Sequence, residues 1–161
     1  MVCSMEIANR QPAPNSMYFE DLMVGQKFIS GTHLLDAPQV IKFASEFDPQ
    51  PFHTDPAAAQ DSLFGELVAS GWHTAAITMR LLVESGLTLA GGIIGAGGEI
   101  NWPKPTRPNS ILRVVSEIVE LRRSKSRPER GIVTIRCETR DQLDEIVQVF
   151  TAKLIVPCRG A

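Results

Sequence analysis

Asp48 and His53 stand five positions apart in the segment Asp48-Pro-Gln-Pro-Phe-His53. Adding water to a conjugated double bond requires one group that takes a proton from water and another that supplies a proton to carbon. An imidazole can change its charge near neutral pH, whereas a carboxylic acid needs burial to keep its proton there. The two side chains are therefore sufficient for such an acid/base step if both face one small volume.

Two prolines, Pro49 and Pro51, stiffen the segment that joins these side chains. Pro49 disfavours the helical conformation for Asp48, and Pro51 restricts Gln50 in the same way, so a helix arriving from upstream must end at Asp48. The resulting turn favours a fixed placement of both functional groups. The alternative, without chemistry, is that Asp48 only ends the helix and His53 is a hydrogen-bonded turn histidine.

The elements that must position this segment follow from the spacing of the apolar residues. A strand is predicted for residues 26–35, and the sequence Asp36-Ala37-Pro38 after it is typical of a helix cap and first turn. A short helix is predicted over 56–60 and a long one over 70–85. The long helix is apolar around most of its circumference, which indicates burial. One apolar face of it consists of Trp72, Ala75, Ala76, Met79, Leu82 and Val83, and Ile77 and Leu81 add apolar residues elsewhere.

The second half of the chain is rich in strands. Residues 132–139 alternate between apolar and polar side chains, as a half-buried strand does. Two long β-rich runs, 110–121 and 145–156, flank it across turn-rich loops and predict an antiparallel meander, with a further strand over 97–102. This order of elements predicts an α+β domain in which a sheet curls around the long apolar helix.

The composition excludes several classes of protein. The 161 residues are 43% hydrophobic and 21% charged with a formal net charge of −2, which fits a globular domain and gives no electrostatic footprint for nucleic acid. Three cysteines without a Cys-x-x-Cys pair favour a reducing cytoplasm over a disulfide framework. No window supplies the ~20 apolar residues of a membrane span. Residues 1–17 are expected to be a flexible N-terminal arm without a signal peptide, and residues 18–157 a single domain.

Three blocks of sequence carry a resemblance to a known family. They are Phe43-Ala-Ser-Glu-Phe-Asp-Pro-Gln-Pro-Phe-His-Thr-Asp55, then Phe64-Gly65 with Ala69-Ser-Gly-Trp-His-Thr-Ala75, and then Asn101-Trp-Pro-Lys-Pro-Thr-Arg-Pro108. In this order they resemble the MaoC-like dehydratases, which include the R-specific enoyl-CoA hydratases. The resemblance covers residues 18–157 and implies a hot-dog fold, a curved antiparallel sheet wrapped around a long central helix.

The resemblance also implies a reaction. Asp48 and His53 match the acid/base pair of the family, which flanks the water added to a trans-2-enoyl-CoA to give an (R)-3-hydroxyacyl-CoA, or removed in the reverse direction. We assign His53 to the water proton and Asp48 to the carbon proton. The family usually has Asn-Pro where this chain has Gln50-Pro51, which bears on the substrate more than on the reaction.

A thioester site is expected at the start of the long helix. Backbone N–H groups there have no partner within the helix and lie at its positive end, so they suit an enolate oxygen. By the resemblance, Gly71 supplies this oxyanion donor, with Ser70 and Trp72 beside it. Ser70 and Gly71 are also compatible with an ordinary helix cap and first turn.

Coenzyme A enters only as part of the substrate, and no cofactor or metal is expected. A metal site from His53, Asp55 and His73 would fit no familiar zinc spacing. Candidate contacts for the phosphates of coenzyme A are basic residues on two loops, although such a run is often only a solvated hairpin tip. These candidates are Lys104, Arg107, Arg123 and Lys125.

Two other functions remain open. A thioesterase on the same fold would more often carry an acidic residue on the central helix, where Glu84 lies far from Gly71. A non-catalytic subunit that binds acyl thioesters is the second, although both Asp48 and His53 are present. Hot-dog subunits usually pair through sheet edges, so a homodimer or a higher homo-oligomer is expected.

Overall fold

The computed structural model describes residues 15–160. Residues 1–14, most of the expected N-terminal arm, lie outside the described residues. At the end of this arm, Met17 forms a β-bridge with Leu89. The Met17 N–H donates to the Thr88 carbonyl, and the Met17 carbonyl accepts from the Ala90 N–H. After a 3-10 turn at Phe19–Asp21, the elements in chain order are β1 (Lys27–Leu35), α1 (Ala37–Phe47), α2 (Pro51–Thr54), α3 (Pro56–Gln60), α4 (Gly71–Val83), β2 (Ile94–Asn101), β3 (Ser110–Arg123), β4 (Arg130–Arg140) and β5 (Ile146–Pro157).

The helices begin where the sequence supplies caps and prolines. Asp36 accepts a hydrogen bond from the Gln39 N–H at the start of α1, and Asp55 caps α3 in the same way. The helix α1 ends at Phe47, as the following proline requires. The turn α2 is an addition to the prediction, because Pro51 occupies its first position, where a missing N–H costs nothing.

All five strands form one antiparallel sheet in the order β1-β3-β4-β5-β2. The strands β3, β4 and β5 are the predicted meander, and β1 and β2 form the two edges. The helix α4 packs on the inner face of this sheet, where the fully buried residues Leu112, Ile118 and Val133 line the core. This α+β arrangement is the hot-dog fold predicted from the sequence.

The helix α4 is buried on one side only, whereas its apolar circumference indicated burial on most sides. The buried residues of the helix are His73, Thr74, Ile77, Thr78, Leu81 and Leu82. Of the apolar face identified in the sequence, Leu82 is buried, but Trp72 is 60% and Val83 61% exposed. The physical reason is that two threonines enter the core with their hydroxyls hydrogen-bonded, which removes most of the cost of burying them. The apolar residues on the opposite side form an exposed stripe instead. None of the described helices is both long enough and apolar enough to cross a bilayer.

Candidate active site

The turn after α1 brings Asp48 and His53 together. Oδ2 of Asp48 lies 3.4 Å from Nε2 of His53. His53 is buried and Asp48 is half-buried, and both line a cleft of about 480 Å³. This volume lies within the range of small-molecule sites. The proline-stiffened segment therefore places the carboxylate and the imidazole at the same cavity, as the sequence predicts.

A backbone carbonyl fixes the orientation of the imidazole. Nδ1 of His53 lies 2.7 Å from the carbonyl oxygen of Val68, which can only accept a hydrogen bond. Nδ1 therefore carries a proton, and Nε2 is the ring nitrogen that faces Asp48. The Val68 N–H in turn donates to the carbonyl of Phe52, next to the histidine. The loop before α4 and the turn α2 thus hold the ring between them.

Two donors hold the carboxylate. The Ser70 hydroxyl donates to Oδ2 of Asp48 at 2.7 Å, and the Gln50 side-chain amide donates to Oδ1 at 2.7 Å. Partial burial by itself raises the pKa of Asp48, but these two hydrogen bonds and the adjacent His53 outweigh burial and hold the pKa below its usual range. Asp48 is therefore ionised at neutral pH. Gln50, where the family usually has Asn, still reaches the carboxylate.

The start of α4 forms the next part of the cleft. Ser70 is fully buried, and its hydroxyl also accepts a hydrogen bond from the Trp72 N–H, so it caps the helix as predicted. Gly71 is the first residue of α4 and lines the cleft. Its N–H has no partner within the helix because of its position. A Cβ at Gly71 would lie 2.6 Å from Cε2 of Trp102, so the close approach of this indole requires glycine.

The four basic candidates are divided between two ends of the sheet. Lys104 lines the cleft and pairs with Glu145, while Arg107 pairs with Glu66 beside the cleft. At the other end of β3, Arg123 is the last residue of the strand, roughly 40 Å along it from Ser110, and Lys125 follows two residues later. Within one chain, the structure therefore brings Lys104 and Arg107 to the cleft region and leaves Arg123 and Lys125 away from it.

His73 does not line the cleft. It stacks on Phe43, with ring centroids 4.4 Å apart, and burial together with the nearby His33 lowers the pKa of His73 to about 4. This placement agrees with leaving His73 out of the acid/base pair. Between residues 15 and 160 no cluster of three or more His, Cys, Asp or Glu side chains could hold a metal ion.

Three features of the site were not assigned from the sequence. The Val68 carbonyl that orients His53 is a backbone group, for which residue type gives no signal. Gln50 was noted as a departure from the family, but its hydrogen bond to Asp48 was not foreseen. Trp102 belongs to the third block of the resemblance, and only its contact with Gly71 reveals that it forms a wall of the cleft.

Comparison with known proteins agrees with this architecture. The chain belongs to the MaoC-like domain family, whose model matches residues 24–140. It is 33% identical over 143 residues to the uncharacterized protein YdeM of Bacillus subtilis, covering 87% of this chain and 97% of that protein.

Solved structures show the same relationship. A MaoC-like dehydratase from Rhodospirillum rubrum is 55% identical with a TM-score of 0.88, over 91% of this chain and all of that one (100%). R-hydratase PhaJ1 from Pseudomonas aeruginosa shares the fold at 24% identity and a TM-score of 0.72, over 89% of this chain and 88% of that one. An (R)-hydratase from A. caviae involved in PHA biosynthesis is 24% identical with a TM-score of 0.67, over 86% of this chain and 98% of that one.

Removal of either donor should raise the pKa of Asp48. In Ser70→Ala and in Gln50→Met the ionised form loses a hydrogen bond, so the carboxyl should titrate at higher pH than in the wild type. The lowered pKa contributes stability that is present above the ordinary aspartate pKa and is lost as the pH falls through the folded value, and both variants should lose part of it. The measurement is a ¹³C NMR titration, with the Asp48 signal assigned by its loss in Asp48→Asn.

Ser45→Ala is the matched control, since the Ser45 hydroxyl donates to the carbonyl of Ile41 on α1. It should leave the Asp48 titration unchanged. An Asp48 pKa that is the same in all three variants would contradict the role given to Ser70 and Gln50.

Proposed function

We propose that the protein adds water to the double bond of a trans-2-enoyl-CoA to give a (R)-3-hydroxyacyl-CoA, and catalyses the reverse dehydration. The observation that carries this proposal is the 3.4 Å pair of Asp48 and His53 in a cleft that Gly71 also lines. Membership of the MaoC-like family supports the reaction class. The two solved R-hydratases share the fold, which supports the proposed R configuration of the product.

We propose the reverse of the proton assignment made from the sequence. Because Asp48 is held ionised, it is suited to start the hydration as the base, and protonated His53 as the acid. Asp48 takes a proton from water as the water oxygen bonds to C3. The electron pair of the double bond moves toward the thioester oxygen, which the Gly71 N–H stabilises as an enolate. Nε2 of His53 then gives its proton to C2.

The short distance between the two groups lets the cycle close. After hydration Asp48 is protonated and His53 is neutral, and the substrate has gained the elements of one water molecule. Transfer of the proton from Oδ2 to Nε2 across 3.4 Å restores the starting ion pair without an external acid or base. The Val68 carbonyl holds the Nδ1 proton throughout, so only Nε2 takes part.

A thioesterase is less well supported by the same geometry. The helix α4 contains no acidic residue, and Glu84 lies roughly 20 Å along the helix axis from Gly71. Its carboxylate is exposed and pairs with Arg80 at 3.0 Å. Hydrolysis would release free coenzyme A, whereas hydration leaves the thioester intact, so a thiol reagent distinguishes the two reactions.

The acid/base pair is tested with crotonyl-CoA. Loss of the conjugated thioester absorbance should occur without free thiol, and Asp48→Asn and His53→Ala should each lower kcat by roughly 10²- to 10⁴-fold. Asp55→Asn is the matched control, since an Asn can still cap α3 and the side chain does not line the cleft. Equal rates in the wild type and both cleft variants would refute the hydratase, and inactivity of the wild type would favour a binding subunit.

We propose further that Lys104 and Arg107 bind phosphates of coenzyme A. Both are half-exposed and now pair with carboxylates at the surface, an interaction worth little that a phosphate can replace. Lys104→Ala and Arg107→Ala should each raise KM for crotonyl-CoA by roughly 3- to 10-fold but leave KM for crotonyl-pantetheine, which lacks these phosphates, unchanged. Arg123→Ala and Lys125→Ala serve as controls. An effect confined to these two controls would place the phosphates at the hairpin tip.

We also propose a homodimer. The exposed stripe of α4, formed by Trp72, Met79 and Val83, lies on the side of the helix that the sheet does not cover, and β2 is an exposed edge strand. Exposed apolar stripes and unpaired strand edges are typical of subunit interfaces. Sedimentation equilibrium should give a dimer, which Val83→Glu should dissociate. Leu143→Glu, at an equally exposed apolar residue in the β4–β5 turn, should remain dimeric.

A further inference from the structure

One wall of the cleft is the short segment 102–106, all of whose residues line the cavity. Its last residue is tied directly to the central helix, because the Thr74 hydroxyl donates to the Thr106 hydroxyl at 3.0 Å. The N–H of Ala69, just before α4, donates to the Thr106 carbonyl at 2.8 Å. This end of the wall is therefore held in place relative to the start of α4.

The first residue of the wall is tied to the same helix through a buried glutamine. The indole N–H of Trp102 donates to Oε1 of Gln148 at 2.9 Å, and Nε2 of Gln148 donates to the Thr78 hydroxyl at 2.9 Å. Gln148 belongs to β5 and is fully buried, with 0% of its surface exposed. A chain of two hydrogen bonds thus joins the cleft wall to the inner face of α4.

The donors and acceptors of this chain fix its direction. The Thr78 hydroxyl donates its one proton to the Thr74 carbonyl at 2.8 Å. It therefore accepts from Gln148 and from the Thr139 hydroxyl, 2.5 Å away on β4. The Gln148 amide must then turn its NH₂ group toward Thr78 and its oxygen toward Trp102. Only this orientation satisfies every group, so the indole N–H has a fixed acceptor.

Burying an amide among apolar strands costs free energy unless the amide is hydrogen-bonded. The buried Gln148 amide orients the Trp102 ring, which packing alone does not fix. The Trp102 side chain is 41% exposed, and its aromatic neighbour Trp72, 5.5 Å away edge to face, is itself 60% exposed. Yet the Trp102 ring lies so close to Gly71 that no Cβ would fit between them.

We propose that Gln148 is a positioning residue of the active site, which acts by holding the Trp102 ring against Gly71. The inference rests on the proposed function, in which the Gly71 N–H binds the thioester oxygen. With the ring fixed, the wall and the oxyanion donor form one rigid surface, and the thioester is held in a single orientation. With the ring free to swing, substrate still enters, but the fraction bound in the reactive orientation falls.

The test compares two variants of one hydrogen-bond network. Gln148→Met keeps the approximate shape of the side chain but removes the acceptor for Trp102, and Trp102→Phe removes the donor. Each should lower kcat for crotonyl-CoA about 10-fold, and the double variant should be no slower than either single one, since both break the same contact. Thr139→Val removes a hydroxyl from the same network without touching Trp102, so its kcat should stay within about twofold of wild type.

A second measurement needs no turnover. In a Trp72→Phe background the fluorescence comes from Trp102 alone, since the chain has 2 tryptophans. Acrylamide quenching should increase in Gln148→Met and stay unchanged in Thr139→Val. If wild type does not hydrate crotonyl-CoA, the proposed function fails, and the quenching still decides whether Gln148 holds the ring.

The inference is overturned if Gln148→Met and Thr139→Val have the same kcat, or if quenching of Trp102 is the same in both. Should Gln148→Met fail to fold, Trp102→Phe carries the kinetic comparison, because that side chain lies at the surface. An unchanged kcat in Trp102→Phe would then refute the proposal.

Discussion

The hydroxyl of Ser70 is the contact on which the site depends. It accepts a hydrogen bond from the first turn of α4 and donates one to Asp48, so one buried oxygen joins the central helix to the acid/base turn. Helix starts need such a cap, and ionised carboxylates need donors, and here one group meets both needs. Because Gly71 follows directly, its N–H is fixed relative to the carboxylate by a single residue.

The electrostatics of the cleft follow from this contact. A carboxylate near the start of a helix is favoured by the unpaired N–H groups there, and Ser70 and Gln50 add hydrogen bonds that outweigh partial burial. Burial alone would favour the protonated form of Asp48, which suits an acid. The two hydrogen-bond donors favour the ionised form instead, which suits a base. The histidine is left with one free nitrogen, because the Val68 carbonyl occupies the other.

The inner and outer sides of the central helix differ in burial and in the contacts that they make. Its inner side carries Thr74 and Thr78, whose hydroxyls tie the cleft wall to the helix at both ends. Its outer side carries an apolar stripe that the sheet leaves uncovered. A helix that is apolar around most of its circumference is therefore not necessarily buried on every side, since one side can pack on its own sheet while the other stays exposed.

The sequence by itself determined the order of the long elements and the placement of Asp48 and His53 on one turn. Caps and prolines act within a few residues, so the start of α1 at Ala37 and its end at Phe47 were predictable, as was the turn that follows. Alternation along β4 identified the half-buried strand for the same local reason. The approach of His53 to Asp48 depends mainly on this stiff local turn, and it too was foreseen.

Only the tertiary structure decided which side of α4 is buried, which donors hold the Asp48 carboxylate, and which basic residues lie near the cleft. These properties depend on contacts between residues far apart in the chain, such as Ser70 with Asp48 and Gln148 with Trp102. A threonine is equally compatible with a surface and with a core, and a buried partner for its hydroxyl decides between them. The folded sheet supplies that partner, and the spacing of residues along the helix does not predict it.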